Sequence, residues 1–243
     1  MSGRVQGKVA IVTGASGGFG LGIAAVLAEE GARVWMTGRR EAPLRKAARE
    51  TGGTAIVADA GVAGDWDRVF GEVTGKDGRV DILVNNVGAG VAVRPLDEQT
   101  DLEIETAMAV NLTGCIFGCR RAAAVMKRQK GGSIINIASV CAIEAWPGFS
   151  VYSAAKAGML QLSRCLHTEL RPFGVRVTCL LPSWGATNWG KAAGLPEMDP
   201  ETRAKCIQPR EIGRTVADLC ALPAHLVVQE MVLWPLVQEV IPL

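Results

Sequence analysis

Short runs of β-branched and apolar residues alternate with helix-like stretches along the whole chain, and this alternation limits the fold more than any other feature. Several of the runs are apolar on both faces, as parallel strands covered by helices on either side must be. The predicted strands are residues 9–14, 33–38, 54–59, 81–86, 132–139, 175–181 and 230–235. The pattern predicts an α/β fold of three layers, with one doubly wound, seven-stranded parallel sheet and helices on both faces.

The stretches between the strands are predicted to be helices. They cover residues 19–31, 42–50, 65–73, 101–129, 150–171 and 209–221. The fourth is too long and too interrupted for one straight helix, and Asn111, Thr113 and Gly114 predict a kink near its middle. Residues 183–208 are rich in Gly, Pro and Trp and lack a clear period. Because long irregular stretches in compact domains are usually functional, this segment is predicted to be a mobile lid with a short helix.

The composition excludes several classes of protein. With 49% apolar residues and a net charge of +2, the chain lacks the basic character that attracts nucleic acids or anionic membranes. It contains no run of about 20 apolar residues, so no segment is predicted to span a bilayer. The seven cysteines include no C-x-x-C pair and the two histidines lie far apart. This favours buried thiols in a reducing cytoplasm over disulfides or a metal site. Residues 1–243 are predicted to form a single domain, with a C-terminal tail at 236–243.

The sequence TGASGGFG, residues 13–20, lies where the first predicted strand passes into the first helix. Gly14, Gly18 and Gly20 permit a tight turn and the close approach of a pyrophosphate to the backbone. The helix that follows offers unpaired N–H groups and the positive end of its dipole. Glycine-rich turns are common in α/β proteins, but at this position the turn favours a dinucleotide site.

The end of the second strand indicates which dinucleotide is bound. The chain reads Thr37-Gly38-Arg39-Arg40 there, with no acid before Glu41. An acid at this point would hold the ribose 2′-hydroxyl of NAD, whereas arginine pairs with a 2′-phosphate and stacks on adenine. NADP(H) is therefore the predicted cofactor, and Arg39 is preferred to Arg40 as the residue that contacts the 2′-phosphate. The alternative is that both arginines are surface residues that open the next helix.

Tyr152 is the only tyrosine of the chain, and Lys156 follows it by one helical turn. Residues four apart share a helix face, so the phenol and the ammonium are predicted to lie close together. A fixed cation stabilises the phenolate and brings a phenol of pKa about 10 into use as a proton donor near neutrality. The spacing alone also fits a solvated pair on a surface helix.

Five motifs follow one another along the chain: TGASGGFG, Asn85-Asn86-Val87-Gly88, Asn111, Ser139 and Tyr152-x-x-x-Lys156. In order and spacing this set resembles that of the short-chain dehydrogenase/reductase family, over residues 7 to about 235. The resemblance implies a Rossmann-like domain that is often a homotetramer. The apolar segment 237–243 also favours burial between subunits, although packing on its own domain is the alternative.

The resemblance also assigns catalytic roles. It implies that Tyr152 exchanges a proton with the substrate oxygen, and that Lys156 lowers the pKa of the phenol and holds the nicotinamide ribose. Ser139 would position the substrate carbonyl, and Asn111 would hold a water molecule of a proton relay. Reactive groups of open α/β sheets gather beyond the carboxyl ends of the strands, which agrees with these positions.

A cofactor site follows from the same resemblance, with Asp59 at the adenine and Thr187 at a cofactor phosphate. Its predicted members are Gly14, Ser16, Gly18, Phe19, Gly20, Arg39, Asp59, Asn86, Gly88, Tyr152, Lys156, Gly185 and Thr187. Two positions depart from the family pattern. Ser183 follows Pro182 where the family has glycine, and Gly185 replaces a larger residue whose backbone commonly touches the carboxamide. A looser or shifted nicotinamide contact is therefore predicted.

Residues near the catalytic motif indicate the substrate class. Cys141, Glu144, Trp146 and Phe149 lie between Ser139 and Tyr152, and Trp184 and Trp189 lie in the lid. Such groups suit a mostly apolar ketone, including one with a ring, and they equally suit ordinary packing of the lid.

The predicted function is an NADP(H)-dependent oxidoreductase that acts on a small-molecule ketone or secondary alcohol. Two alternatives stay open. One is a reductase of 3-oxoacyl thioesters, and the other is a catalytically silent NADP(H)-binding protein. The complete set of four catalytic residues argues against the second, because a sensor does not need a proton donor.

Overall fold

The computed structural model describes residues 3–89 and 91–239, and a parallel sheet of seven strands forms its centre. The strands are Val9–Thr13 (β1), Arg33–Gly38 (β2), Thr54–Val57 (β3), Ile82–Asn85 (β4), Gly132–Ile137 (β5), Val175–Pro182 (β6) and Glu230–Leu233 (β7). Their order is β3-β2-β1-β4-β5-β6-β7, and all neighbours run parallel. The predicted sheet is confirmed, because each predicted strand overlaps an observed one.

Helices cover both faces of the sheet, as predicted. They are Gly18–Glu29 (α1), Glu41–Thr51 (α2), Ala63–Asp77 (α3), Asp101–Met108 (α4), Gly114–Gln129 (α5), Ser150–Leu170 (α6), Trp189–Ala192 (α7), Pro200–Lys205 (α8) and Pro209–Ala221 (α9). Successive side chains of a strand point to opposite faces. On β1, Val9 and Ile11 therefore join a core with α3, α5 and α6, while Ala10 and Val12 join a second core with α1, α2 and α9. This three-layer α/β arrangement is Rossmann-like.

The kink predicted in the fourth helix is a π-helical turn, Ala109–Thr113, between α4 and α5. A π-turn inserts an extra residue into the helical ladder and is often found at functional sites. Asn111 lies in the middle of this turn and is fully buried. The interruption that the sequence predicted therefore aims an amide side chain into the protein interior.

The predicted lid contains two short helices, α7 and α8, so the expectation of one short helix was wrong. Its base is closed by a short parallel bridge between Gly185 and Ile207: Ala186 N donates to the Ile207 carbonyl at 2.9 Å, and Ile207 N donates to the Trp184 carbonyl at 3.0 Å. Arg203 Nη1 also donates to the Thr187 carbonyl at 3.0 Å. Both ends of the lid are thus joined to each other before the chain enters α9.

The sheet order places a crevice between β1 and β4. From β1 the chain builds outward to β2 and β3 on one side, and to β4 through β7 on the other. Ligands of open α/β sheets bind beyond the carboxyl ends of the strands at this point of reversal. Residues 236–239 of the predicted tail are described and Leu236 is fully exposed, but 240–243 lie outside the described residues.

Within residues 3–89 and 91–239, none of the helices combines the length and the hydrophobicity that a membrane span requires.

Candidate active site

The glycine-rich turn between β1 and α1 forms the floor of the crevice. Gly14 has φ +64° and Gly18 has φ +53°, which is the left-handed region where glycine is favoured. A Cβ atom on Gly20 would lie 2.4 Å from the Gly14 carbonyl oxygen and 2.5 Å from Asn86 Nδ2. The turn therefore folds back on itself more closely than any side chain would allow, and the backbone itself lines the crevice.

Asn86 and Thr13 fasten the end of β4 to this turn. Asn86 Nδ2 donates to the Thr13 carbonyl at 2.9 Å, and Asn86 N donates to Thr13 Oγ1 at 2.9 Å. Thr13 Oγ1 also accepts from Val87 N at 3.2 Å. These bonds join the ends of β1 and β4, the neighbouring strands at the reversal point, so they hold the two sides of the crevice at a fixed separation.

The base of the lid meets the same turn. A Cβ atom on Gly18 would lie 3.4 Å from Thr187 Cγ2, which puts the Thr187 side chain beside the start of α1. A Cβ atom on Gly185 would lie only 2.3 Å from Phe19 Cζ. The ring of Phe19 therefore occupies the space that a side chain at position 185 would need. This contact explains the small residue at 185, and sequence reasoning did not pair the two positions.

Arg39 and Asp59 lie at the ends of β2 and β3, on the open rim of the crevice. Arg39 Nη1 is 3.8 Å from Asp59 Oδ2, and the Arg39 side chain is 60% exposed. Asp59 Oδ1 also accepts from Gly61 N at 2.8 Å. Gly38 brings Ser16 to the same rim, since a Cβ atom on Gly38 would lie 3.8 Å from Ser16 Oγ. An exposed ion pair of this kind is weak, so the guanidinium is available to an anion.

Tyr152 and Lys156 lie in the first two turns of α6 and are both buried. Tyr152 is 7% exposed and Lys156 is 2% exposed, so the alternative of a solvated surface pair was wrong. Lys156 Nζ lies 5.6 Å from the centre of the Tyr152 ring and donates to the Ile137 carbonyl at 3.0 Å. The carbonyl of Ile137, the last residue of β5, thus orients the ammonium group of Lys156. This role could not be predicted from the sequence, because every residue has a backbone oxygen and no motif marks this one.

Burial changes the proton affinity of both groups. It lowers the pKa of Lys156 to about 8, because the charged ammonium loses its hydration. Burial also raises the pKa of Tyr152, while a hydrogen bond with Ser139 acts in the opposite direction. The lowering of the phenol pKa by Lys156 stays a prediction, because in this structure loss of hydration is the main influence on the Tyr152 pKa and raises it. At neutral pH the phenol is protonated.

Asn111 lies beside Lys156 and has a free acceptor. Asn111 Nδ2 donates to the carbonyls of Ala89 and Ala107, both at 2.8 Å. Its Oδ1 atom is buried and has no partner among the described residues. A Cβ atom on Gly88 would lie 3.4 Å from this oxygen and 3.5 Å from Lys156 Nζ. The two groups therefore face one small space, which suits a hydrogen-bond donor such as water.

Ser139, the fourth residue predicted to be catalytic, lies just beyond the end of β5. It is buried, and its Oγ accepts from Cys141 N at 3.2 Å. The structure thus brings Ser139, Tyr152, Lys156 and Asn111 to the carboxyl edge of the sheet, beside the glycine turn. The glycine cradle, the exposed Arg39 and the unpartnered Asn111 oxygen fit a dinucleotide with an additional phosphate.

Aromatic side chains cover the substrate side of Tyr152. We call Trp146, Phe149, Tyr152, Trp189 and Trp234 the aromatic cluster. The ring centres of Tyr152 and Trp189 are 4.9 Å apart, and those of Phe149 and Tyr152 are 6.3 Å apart. The ring centre of Trp146 lies 6.4 Å from the ring centres of both Phe149 and Trp234.

Two residues considered at the sequence level lie away from this cluster, and one was overlooked. Trp184 is 44% exposed and forms none of the ring pairs of the cluster among the described residues, and Glu144 is exposed. Trp234 was missed, although it directly follows β7 and so lies at the carboxyl edge of the sheet, where site residues gather.

Comparisons with known proteins agree with this geometry. The profile of the family described as short chain dehydrogenase matches residues 8–196. The oxidoreductase asL5 of Sarocladium schorii is 34% identical over 225 residues, which is 90% of each chain. The alcohol dehydrogenase of the archaeon Thermococcus sibiricus, solved with 5-hydroxy-NADP, gives a TM-score of 0.85 at 26% identity, over 98% of this chain and 100% of that one. A serine dehydrogenase solved with NADP+ gives a TM-score of 0.89 at 27% identity, over 97% and 98%.

Proposed function

Because this chain belongs to the short-chain dehydrogenase family of oxidoreductases, we propose that it transfers a hydride between NADP(H) and a small-molecule ketone or secondary alcohol. The observation that carries the proposal is the buried pair of Tyr152 and Lys156, beside Ser139 and Asn111 and next to a glycine turn. A buried phenol and ammonium are costly to keep in a fold that uses them only for packing.

The cofactor would lie along the crevice. Gly14, Gly18 and Gly20 would hold its pyrophosphate, Asp59 its adenine, and Arg39 its 2′-phosphate. The predicted nearby members Ser16, Phe19, Asn86, Gly88, Gly185 and Thr187 line the same crevice. NADPH supplies the hydride when bound, and the two solved relatives that contain NADP-type cofactors support this choice.

The chain's own residues would manage the proton. Tyr152 is kept neutral by burial, so it can donate a proton to the substrate oxygen during reduction. The Ser139 hydroxyl would donate a second hydrogen bond to the same oxygen and hold the carbonyl in place. Lys156, with a pKa of about 8, can exchange protons near neutrality and replace the one that Tyr152 loses. A water molecule on Asn111 Oδ1 would continue this relay.

The aromatic and apolar residues around the phenol support the choice of a small ketone over a 3-oxoacyl thioester. We further propose one domain for residues 1–243, a homotetramer, and a cytoplasmic location. The exposed Leu236 at the start of the tail supports assembly, and the free thiols support a reducing compartment. Light scattering at micromolar concentration tests the assembly, since a monomeric mass would overturn it.

Tyr152→Phe is the test of the proposed function. The change removes one hydroxyl and keeps the ring, so folding and NADPH binding should persist while turnover falls by about two to four orders of magnitude. Steady-state turnover is measured on any ketone that the parent protein reduces, with NADPH affinity measured by calorimetry as the control. Turnover of Tyr152→Phe within about threefold of the parent would show that this phenol is only a packed aromatic.

A further inference from the structure

One ring of the lid lies directly over the catalytic phenol. Trp189 begins α7, and its ring centre is 4.9 Å from that of Tyr152, at an interplanar angle of 41°. Its backbone is also fixed, because Trp189 N donates to Thr187 Oγ1 at 3.2 Å. The far end of α7 reaches across the crevice, where Val93 N donates to the Ala193 carbonyl at 3.5 Å. The lid is therefore closed over Tyr152, with an indole in the space that a substrate needs.

The surroundings of this indole are aromatic and only half-buried. Phe149 stacks on Trp189 at 6.5 Å with an angle of 25°, and Trp146 meets the edge of Phe149. Val91 and Cys141 belong to the same apolar cluster. In the lid, the ion pair of Lys191 with Glu197 lies on the surface with both side chains more than 70% exposed. A group that enters between Trp189 and Phe149 therefore meets the rings of the aromatic cluster, whose side chains carry no charge.

We infer that Trp189 determines substrate specificity and that the site selects uncharged ketones that carry an aromatic ring next to the carbonyl. This inference rests on the proposed function. A substrate must displace the indole from Tyr152, and a flat ring restores the lost contact by stacking between Trp189 and Phe149. A small aliphatic ketone leaves that space unfilled. A carboxylate or phosphate would find no charged side chain within the aromatic cluster itself, and burying such a group against apolar atoms is costly.

A panel of three ketones tests the selection in the parent protein. Acetophenone carries the ring, 2-butanone lacks it, and acetoacetate carries a charge. We expect kcat/KM for acetophenone to exceed that for each of the other two by at least about tenfold, the usual discrimination of an apolar pocket. A parent protein that prefers 2-butanone or acetoacetate would overturn the inference.

Three variants assign the selection to Trp189. Trp189→Ala should reduce the preference for acetophenone over 2-butanone to about threefold or less, and Trp189→Phe should retain part of it because a ring remains. Trp184→Ala is the matched control: it removes the same residue type from the same lid, and its ring is 44% exposed and pairs with no ring of the aromatic cluster among the described residues. Equal preferences in Trp189→Ala and the parent would refute the role of Trp189.

Binding without turnover separates the two proposals. Acetophenone is titrated into each protein, and binding is read from tryptophan fluorescence and confirmed by calorimetry. We expect binding to the parent and to Trp184→Ala, and at least about tenfold weaker binding to Trp189→Ala. If acetophenone binds in this pattern but no ketone is reduced, the proposed function fails and the aromatic site stands. If ketones are reduced but acetophenone binding does not depend on Trp189, only this inference fails. Circular dichroism checks that each variant is folded.

Discussion

The cofactor side and the substrate side of this crevice are built in different ways. On the proposed cofactor side the glycine turn is limited by backbone contacts, as where a Cβ on Gly20 would lie 2.4 Å from the Gly14 carbonyl oxygen. On the proposed substrate side the contacts are between rings of residues 146–152, Trp189 and Trp234, with centres 4.9 to 6.5 Å apart. A backbone contact tolerates one residue type, whereas ring contacts can be rebuilt with other side chains.

The two sides also treat charge differently. Arg39 and Asp59 face solvent on the cofactor rim, where an ion pair contributes little to stability. Lys156 lies in the interior between the two sides, and burial lowers its pKa to about 8. The cofactor binding proposed for Arg39 would thus use a solvated charge, and the proton transfer proposed for Lys156 would use a desolvated one.

The largest expected effect concerns the buried charge. The pKa of Lys156 is lower in the folded than in the unfolded protein, so its protonation favours unfolding. This cost is fully present below about pH 8 and disappears as the pH rises through the unfolded value of about 10.4. The free energy of unfolding of the parent, relative to Lys156→Met, should therefore increase by about 3 kcal/mol between pH 8 and 10.5.

Urea denaturation of both proteins at several pH values measures this difference. Lys191→Met is the control, because its ammonium is 73% exposed and its removal should give a difference that does not change with pH. A constant difference between the parent and Lys156→Met would mean that the ammonium is hydrated, and the contrast in charge between the two sides would be lost.

A second prediction compares a backbone contact with a side-chain contact. Gly20→Ala should cost about 2 kcal/mol of stability, because its Cβ meets the Gly14 carbonyl and the Asn86 amide, and neither can withdraw. Gly185→Ala should cost a similar amount, because its Cβ meets the ring of Phe19. Phe19→Leu should restore the stability lost in Gly185→Ala, because it makes room for the new Cβ atom, but it should not restore the stability lost in Gly20→Ala. Thermal denaturation of the single and double variants measures the coupling.

Gly17→Ala is the control for the same turn, since a Cβ atom there would meet nothing within 4 Å. If Phe19→Leu rescued Gly20→Ala as well, or failed to rescue Gly185→Ala, the distinction between the two kinds of contact would not hold.

The smallest expected effect is on cofactor choice. NADPH should bind at least about tenfold more tightly than NADH, which is roughly 1.4 kcal/mol, through the contact of Arg39 with the 2′-phosphate. Arg39→Asp should narrow or reverse this preference, because a carboxylate repels that phosphate. Calorimetry with both cofactors gives the affinities, and Arg40→Ala provides a neighbouring control. Equal affinities in the parent protein would remove the basis for NADP(H).

Much of the fold was predictable from the sequence, and so was the position of Ser139, Tyr152, Lys156 and Asn111 at one edge of the sheet. Strands of this sheet are buried on both faces, so their apolar runs are visible without knowledge of their neighbours. The kink at Asn111 was visible for a similar reason, because its residues weaken the helix locally. Its form as a π-turn, and the free oxygen that it presents to Lys156, were not visible.

What the sequence determined by itself was local: the seven strands, the glycine turn, and the spacing of Tyr152 and Lys156 on one helix face. The tertiary structure alone decided that Lys156 donates to the Ile137 carbonyl, that Phe19 fills the space at Gly185, and that Trp189 lies over Tyr152. Each of these contacts joins separate segments of the chain or depends on how a side chain is packed. The same distinction applies to the pKa values of Tyr152 and Lys156. Their spacing on the helix predicts an electrostatic attraction between the two groups, whereas the loss of hydration that dominates both pKa values depends on all the residues packed around them.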